Sequence, residues 1–295
     1  MTYQDEINKI LSSDLGPQEK INAIEILKAS DEVAETDSEF EILKNLLNSN
    51  QWPEAVLEFQ IADENSEEDK TDRAEGIVDI LVEESLENKK FLDFGCGEGH
   101  AAKYASEEAS VSVGYDIKKQ GNLSWEKDEN FLLTTEFDKV SDKGPFDIVL
   151  IYDVLDHAED PLDVLNKVRS VLSPQGKVYL RCHPWSGRHG GHCYRKLNKA
   201  FVHLVFSEEE LKSLGCDVEF NNKVLFPLGF YNDLIKKSLF ENQKQDIEQQ
   251  EVESFFKDND LIKSRILNVF IRDEWKNDCP QFQMGQCFVD YVLRK

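Results

Sequence analysis

The stretch Phe91-Leu92-Asp93-Phe94-Gly95-Cys96-Gly97-Glu98-Gly99 runs from a short apolar strand through an acid into three alternating glycines. Glycine lets the backbone turn with positive φ and pass close to a ligand. The next residues, from Ala101 to Glu108, carry a helical pattern, so the loop opens a helix whose first N–H groups face a negative group. In open α/β sheets ligands sit at such carboxyl-end loops. The next strand, Ser110 to Ile117, brings Asp116 to its end, placed to accept hydrogen bonds from ribose hydroxyls. A dinucleotide fingerprint wants a glycine three positions after the second, and His100 stands there.

Downstream, the pattern alternates. Phe131–Thr135 is a weaker strand, Phe146–Tyr152 (FDIVLIY) a continuous apolar run of the kind covered on both faces, and Pro161–Leu172 an amphipathic helix. Gly176–Cys182 is a further strand, Ser207 caps a helix start, and Cys287–Leu293 is a late strand expected to join by a hairpin. Strands alternating with helices imply right-handed crossovers and a doubly wound, mostly parallel sheet. Upstream, helical spacing is expected at Tyr3–Leu11, Ile21–Leu27, Phe40–Leu47 and Ile77–Leu86, with polar Asp63–Asp72 as a linker or exposed helix start. The expected organisation is an acidic helical segment over 1–70 and the α/β domain over 71–295, with an insertion around 225–280.

Charge sharpens that division. The 295-residue chain has a net charge of −24, and residues 1–88 hold 24 acids against 6 bases. A strongly acidic protein repels polyphosphate, which argues against general nucleic-acid binding. Val164–Ser207 contains no acid and 8 bases, a basic island. No apolar run approaches the roughly 18 residues that cross a bilayer, and the first residues lack a signal pattern. A cytoplasmic protein with scattered, reduced cysteines is the expectation. The N-terminal helices are a candidate protein-docking part.

The acid followed by Gly95, Gly97 and Gly99 resembles the signature of class I S-adenosylmethionine-dependent methyltransferases. The segments Phe146–Val149, Asp153–Pro161, Leu172–Lys177 and His203–Leu211 resemble the later parts of their small-molecule members, of the type 11/12 kind. The resemblance implies a Rossmann-like seven-stranded sheet and S-adenosylmethionine as cofactor. By position it implies cofactor contacts from Asp93, Gly95, Cys96, Gly97, Gly99, Asp116, Ile117, Glu136, Phe137 and Asp153. Helix capping before Pro161 is the competing reading of Asp153 and Asp156. Amino-methylating members often carry Asn-Pro-Pro-aromatic after the fourth strand. Tyr152-Asp153-Val154-Leu155 stands there, which turns the expectation toward an oxygen acceptor, with nitrogen second.

The loop after the fifth strand holds three of the six histidines within ten residues. Transfer to a hydroxyl needs a base, and histidine titrates in the right range. The candidate bases are His157, His183, His189 and His192. Arg181, Arg188 and Arg195 are candidates to hold an anionic small-molecule or glycan-like acceptor by bidentate hydrogen bonds. A loop that only ties down its own backbone is the alternative for each histidine. A zinc site built from Cys182, His183, His189, His192 and Cys193 lacks the C-x2-4-C pair such sites use, so no metal is expected. The rival functions are an RNA or protein methyltransferase contacting its substrate through the basic island, and a silent module that keeps the fold without turnover.

Overall fold

The computed structural model describes residues 37–56, 66–121, 129–220, 228–249, 252–272 and 285–295, with Lys9, Ser12 and Lys20. Most of the helices expected over Tyr3–Leu11 and Ile21–Leu27 lie outside the described residues. The third is α1, Asp37–Leu47.

From residue 66 the expected alternation is present. Ser66 opens α2 (Glu67–Leu81) with a capping box: its hydroxyl accepts from the Asp69 N–H, and the Asp69 carboxylate accepts from the Ser66 N–H. There follow β1 (Lys90–Phe94), α3 (His100–Ala105), β2 (Val111–Tyr115), β3 (Phe131–Thr134), α4 (Phe137–Lys143) and β4 (Phe146–Tyr152). Next come α5 (Pro161–Val171), β5 (Leu172–Cys182), α6 (Val202–Val205), α7 (Glu208–Ser213) and α8 (Leu228–Lys237). The chain closes with β6 (Glu241–Gln249), α9 (Ser254–Lys257), α10 (Asp260–Arg272) and β7 (Gln286–Arg294).

The strands form one seven-stranded sheet in the order β3-β2-β1-β4-β5-β7-β6. β1 to β5 pair in parallel, and β7 runs antiparallel to β5, with Lys177 opposite Arg294 and Cys182 opposite Val289. β4 has Ile148, Val149, Leu150 and Ile151 with no exposed surface, as its unbroken apolar run requires of a strand covered on both faces. Proline at the first turn of α5 costs no hydrogen bond there, and Asp160 caps it by accepting from the Asp163 N–H at 3.0 Å. The cap before Pro161 is therefore Asp160, which leaves Asp153 and Asp156 to other work.

The described residues group into two compact units. One gathers Glu58–Pro184, Lys223–Glu248 and Phe288–Lys295 and holds the sheet core, including Leu92, Val113, Val149, Leu165, Val178 and Leu293. The other gathers Met1–Leu57, Trp185–Asn222 and Gln249–Cys287. In it Trp52, 2% exposed, packs against Phe206, Phe255 and Phe256, and its indole N–H donates to the Ala200 carbonyl at 2.9 Å. The compact units thus do not divide at residue 70. Apolar side chains before residue 57 bury themselves against segments more than a hundred positions later, which charge composition does not reveal.

Candidate functional site

The site grows from the turn after β1. Gly95, Gly97 and Gly99 all have positive φ, at 84°, 55° and 94°. The Gly95 and Cys96 N–H groups both donate to the Tyr115 carbonyl, at 2.7 and 2.9 Å, which stitches the loop to the end of β2. A Cβ on Gly95 would lie 2.3 Å from Val154 Cγ2, and one on Gly99 2.6 Å from Leu133 Cδ2. A Cβ at either position would force the facing side chain to shift.

Asp116 organises the same loop. Its Oδ2 accepts from the Gly97 N–H at 2.9 Å and from Gln120 Nε2 at 3.1 Å, and its Oδ1 accepts from the Lys118 N–H at 3.2 Å. Asp93 lies beside it, 4% exposed. Burial, and then the Asp116 carboxylate, push the Asp93 carboxyl up to about 7, against the lowering effect of the Ala102 backbone N–H. Two buried carboxylates this close suit a ligand that brings positive charge. Cys96 is half-buried; burial first, then Asp93 and Asp116, raise its thiol pKa, so it stays a neutral thiol.

The other cofactor candidates divide. Ile117, directly after Asp116, is 83% exposed, an apolar side chain presented at the sheet's ligand edge. Phe137 packs edge-on against Phe94 and Tyr115, at 6.4 and 5.7 Å between ring centroids, so it belongs largely to the core. Glu136 is exposed and pairs with Lys139. Sequence reasoning missed the support from α2: Lys70 Nζ lies 2.7 Å from Glu98 and 3.1 Å from Glu67, and His100 Nε2 lies 3.1 Å from Glu67. These pairs tie the first turns of α2 to the glycine loop. The only sequence signal was the acidic Glu67-Glu68-Asp69 run.

After β4 the chain turns through Asp153, whose φ of 52° is unusual for a residue other than glycine. Its N–H donates to the Arg181 carbonyl at 3.1 Å, and its carboxylate lies 2.8 Å from His183 Nδ1. Burial works against the His183 imidazolium, but Asp153 and then Asp156 outweigh it and raise its pKa. Asp156 is buried, and burial followed by the Asp153 charge raises its carboxyl pKa against the pull of His157 and His183. His157 Nε2 stands 3.4 Å from Asp156, with about half of the side chain exposed.

His189, His192, Arg188 and Arg195 belong to the other compact unit. There His189 Nδ1 lies 4.0 Å from Cys287 Sγ, and the His192 N–H donates to the His189 carbonyl at 2.9 Å. Arg195 is exposed. Arg188 pairs with Glu253 and donates through Nε to the Glu54 carbonyl at 2.8 Å.

Acids offset part of the basic island in the fold. Arg181 forms a bidentate pair with Asp290, both bonds 2.6 Å. Lys167 pairs with Asp163 at 2.7 Å and Lys177 with Glu84 at 3.1 Å. Lys199 donates to the Ser49 carbonyl at 3.1 Å. The acids that neutralise the island come mostly from distant sequence, which a running charge count does not see. Cys182, of the considered zinc set, is fully buried with its thiol directed at the Val289 carbonyl at 3.7 Å.

A family model described as a methyltransferase domain matches residues 65–223. Among curated proteins, a tRNA U34 carboxymethyltransferase of Pseudoalteromonas atlantica is 32% identical over 105 residues, covering 33% of this chain and 32% of that protein. A ubiquinone biosynthesis O-methyltransferase of Vibrio campbellii is 29% identical over 100 residues, covering 31% of this chain and 43% of that protein. The match thus spans less than half the length of each. A putative S-adenosylmethionine-dependent methyltransferase structure from Listeria monocytogenes aligns with a TM-score of 0.45 at 15% identity, covering 77% of this chain and 98% of that one.

Proposed function

The chain belongs to the methyltransferase-domain family, the class I S-adenosylmethionine-dependent methyltransferases, and we propose that it transfers a methyl group to an oxygen, with nitrogen second, of a small-molecule or glycan-like acceptor. The observation that carries this reading is the Asp93–Gly95–Gly97–Asp116 arrangement. It joins a backbone turn that leaves no room for a Cβ at Gly95 to two buried carboxylates, Asp93 and Asp116. Such a site fits a cofactor with an ammonium group and ribose hydroxyls. When bound, S-adenosylmethionine supplies an electrophilic methyl carbon on a sulfonium.

The chain's own residues bind and orient. Asp93 meets the ammonium, Asp116 accepts from the ribose hydroxyls, and Ile117 offers apolar cover to the adenine. A carboxylate has about four acceptor sites, so Asp116 can keep its loop hydrogen bonds while exchanging the Gln120 amide for a hydroxyl. Rate then comes from alignment of the acceptor with the methyl carbon, plus a base drawn from His157, His183, His189 or His192.

A small acceptor is favoured over RNA because the chain carries a net charge of −24 and Lys167, Lys177, Arg181 and Arg188 of its basic island pair with acids within the fold. Among the described residues no helix is long and apolar enough to cross a membrane. The test is incubation with methyl-labelled S-adenosylmethionine and panels of hydroxylated acids, phenols, glycans and bulk tRNA. Label entering a small-molecule fraction supports the reading. Label entering only tRNA overturns the acceptor class.

A further inference from the structure

We propose that His183 is the general base of the transfer and that Asp153 is the residue that positions it, an inference that rests on the methyl-transfer reading above. Four observations within one compact unit converge on this pair. Asp153 and His183 each follow the last residue of adjacent parallel strands, β4 and β5, at the carboxyl end where the glycine loop also lies. The Asp153 backbone sits at φ 52°, a conformation that costs energy for a non-glycine residue and is kept where the surroundings over-determine it. That turn aims its carboxylate at His183 Nδ1, 2.8 Å away, while the Asp153 N–H is fixed to the Arg181 carbonyl. Val154, the next residue, abuts Gly95, so the turn that carries Asp153 is packed against the cofactor loop.

The ring is held on its other sides too. Phe288 lies 4.3 Å from its centroid, and Tyr231 donates to the His183 carbonyl at 3.3 Å. The groups that face it are Asp153, Asp156 and, through Asp156, His157 from the loop after β4. Arg181 faces it from β5 and Phe288 from β7, while Tyr231 of α8 reaches the His183 carbonyl and Asp290 of β7 reaches Arg181. Arg181 is occupied by Asp290, so the two carboxylates dominate and make the imidazole a stronger base.

With Nδ1 2.8 Å from the Asp153 carboxylate, Nε2, itself buried, is the nitrogen left to take a proton. The balance is then complete. The acceptor O–H bond breaks and its proton goes to Nε2, the oxygen pair forms the O–CH3 bond, and the S–CH3 bond breaks with its electrons retained on sulfur. The imidazolium afterwards returns its proton to water. Of the other candidates in this unit, His157 is half-exposed at 3.4 Å from its carboxylate.

The deciding experiment is an NMR titration of nitrogen-15 histidine-labelled full-length chain loaded with S-adenosylhomocysteine, comparing wild type, Asp153→Asn and Asp153→Glu. In the wild type, His183 should keep Nδ1 protonated and titrate above the ordinary histidine range. Asp153→Asn should lower that pKa by about one unit or more, and Asp153→Glu should restore most of it. With catechol as probe acceptor, His183→Gln should lower kcat roughly 10²–10⁴-fold with S-adenosylhomocysteine affinity within about twofold. If the wild type leaves catechol untouched, the titration decides alone. An unshifted His183 in Asp153→Asn, or a Nδ1 that carries no proton, overturns the proposal. So does a chelator-reversible change in the His183 signals on adding magnesium or zinc, which reassigns the carboxylates to a cation. Failure of the wild type to bind S-adenosylhomocysteine sinks the methyl-transfer reading instead, and the same titration on unloaded chain still tests the pair.

Discussion

Gly95→Ala is the perturbation that the geometry describes most fully. The substituted residue must hold φ near 84° and place a Cβ 2.3 Å from Val154 Cγ2 and 2.9 Å from Cγ1. The left-handed conformation costs roughly 1–2 kcal/mol for an L-residue. Valine is stiff about χ1, so the clash is relieved by moving backbone, an overpacking cost of about 1–3 kcal/mol. The total, roughly 2–5 kcal/mol, converts to about 30-fold to several-thousand-fold weaker binding if the cofactor loop is what gives way, at about 1.4 kcal/mol per tenfold. Gly97→Ala is the internal control, because its φ is 55° but a Cβ there meets nothing within 4 Å. It should lose only the conformational share, about tenfold. Adding Val154→Ala to Gly95→Ala should recover the steric share and bring the double variant near Gly97→Ala. The assay is titration calorimetry with S-adenosylhomocysteine, with thermal melts to separate loop effects from global unfolding. Wild-type affinity in Gly95→Ala, or no rescue by Val154→Ala, refutes the reasoning.

Asp116→Asn turns an N–H2 toward the Gly97 N–H and the Gln120 amide. Loss of hydrogen bonds to a charged acceptor, at roughly 1.5–3 kcal/mol each, should weaken S-adenosylhomocysteine at least tenfold, and calorimetry showing less than a twofold change contradicts that. The Asp93 carboxyl, raised from 3.8 to about 7 by burial and then Asp116, stabilises the ligand-free fold in its protonated form. That contribution is complete below about pH 4 and is lost as pH rises through about 7, so ligand-free Tm should fall over this window. An ammonium ligand favours the ionised form, so cofactor affinity should rise with pH over the same range. Asp93→Asn should flatten both trends, and a flat wild-type profile goes against the assignment. Trp52→Ala should cost about 3–5 kcal/mol in denaturant unfolding, since it removes a buried indole and its hydrogen bond to Ala200. A loss below about 1 kcal/mol marks the N-terminal residues as separable.

The parallel sheet was legible because its cause is local. FDIVLIY has no face to show to water, and Asp93-Phe94-Gly95-Cys96-Gly97 concentrates turn chemistry where one strand ends. Asp93 and Asp116 were singled out by the same logic, since each lies at or next to a strand end. β6 was missed because Glu241–Gln249 (ENQKQDIEQ) is an edge strand with little apolar alternation, the composition that guards a sheet edge and hides it from a periodicity reading. A running count overstates the basic island because charge in sequence is not charge in space: Arg181 meets Asp290 and Lys177 meets Glu84 only after folding. The pairing of Asp153 with His183 was out of reach for the same reason. It needs two strand ends brought side by side and a backbone turn that no propensity announces.

The most direct test of the central claim is calorimetric titration of the intact chain with S-adenosylhomocysteine. Saturable binding of one molecule per chain is expected, weakened by Gly95→Ala and by Asp116→Asn. Absence of both heat and thermal stabilisation at millimolar ligand, in a chain that melts cooperatively, would contradict it.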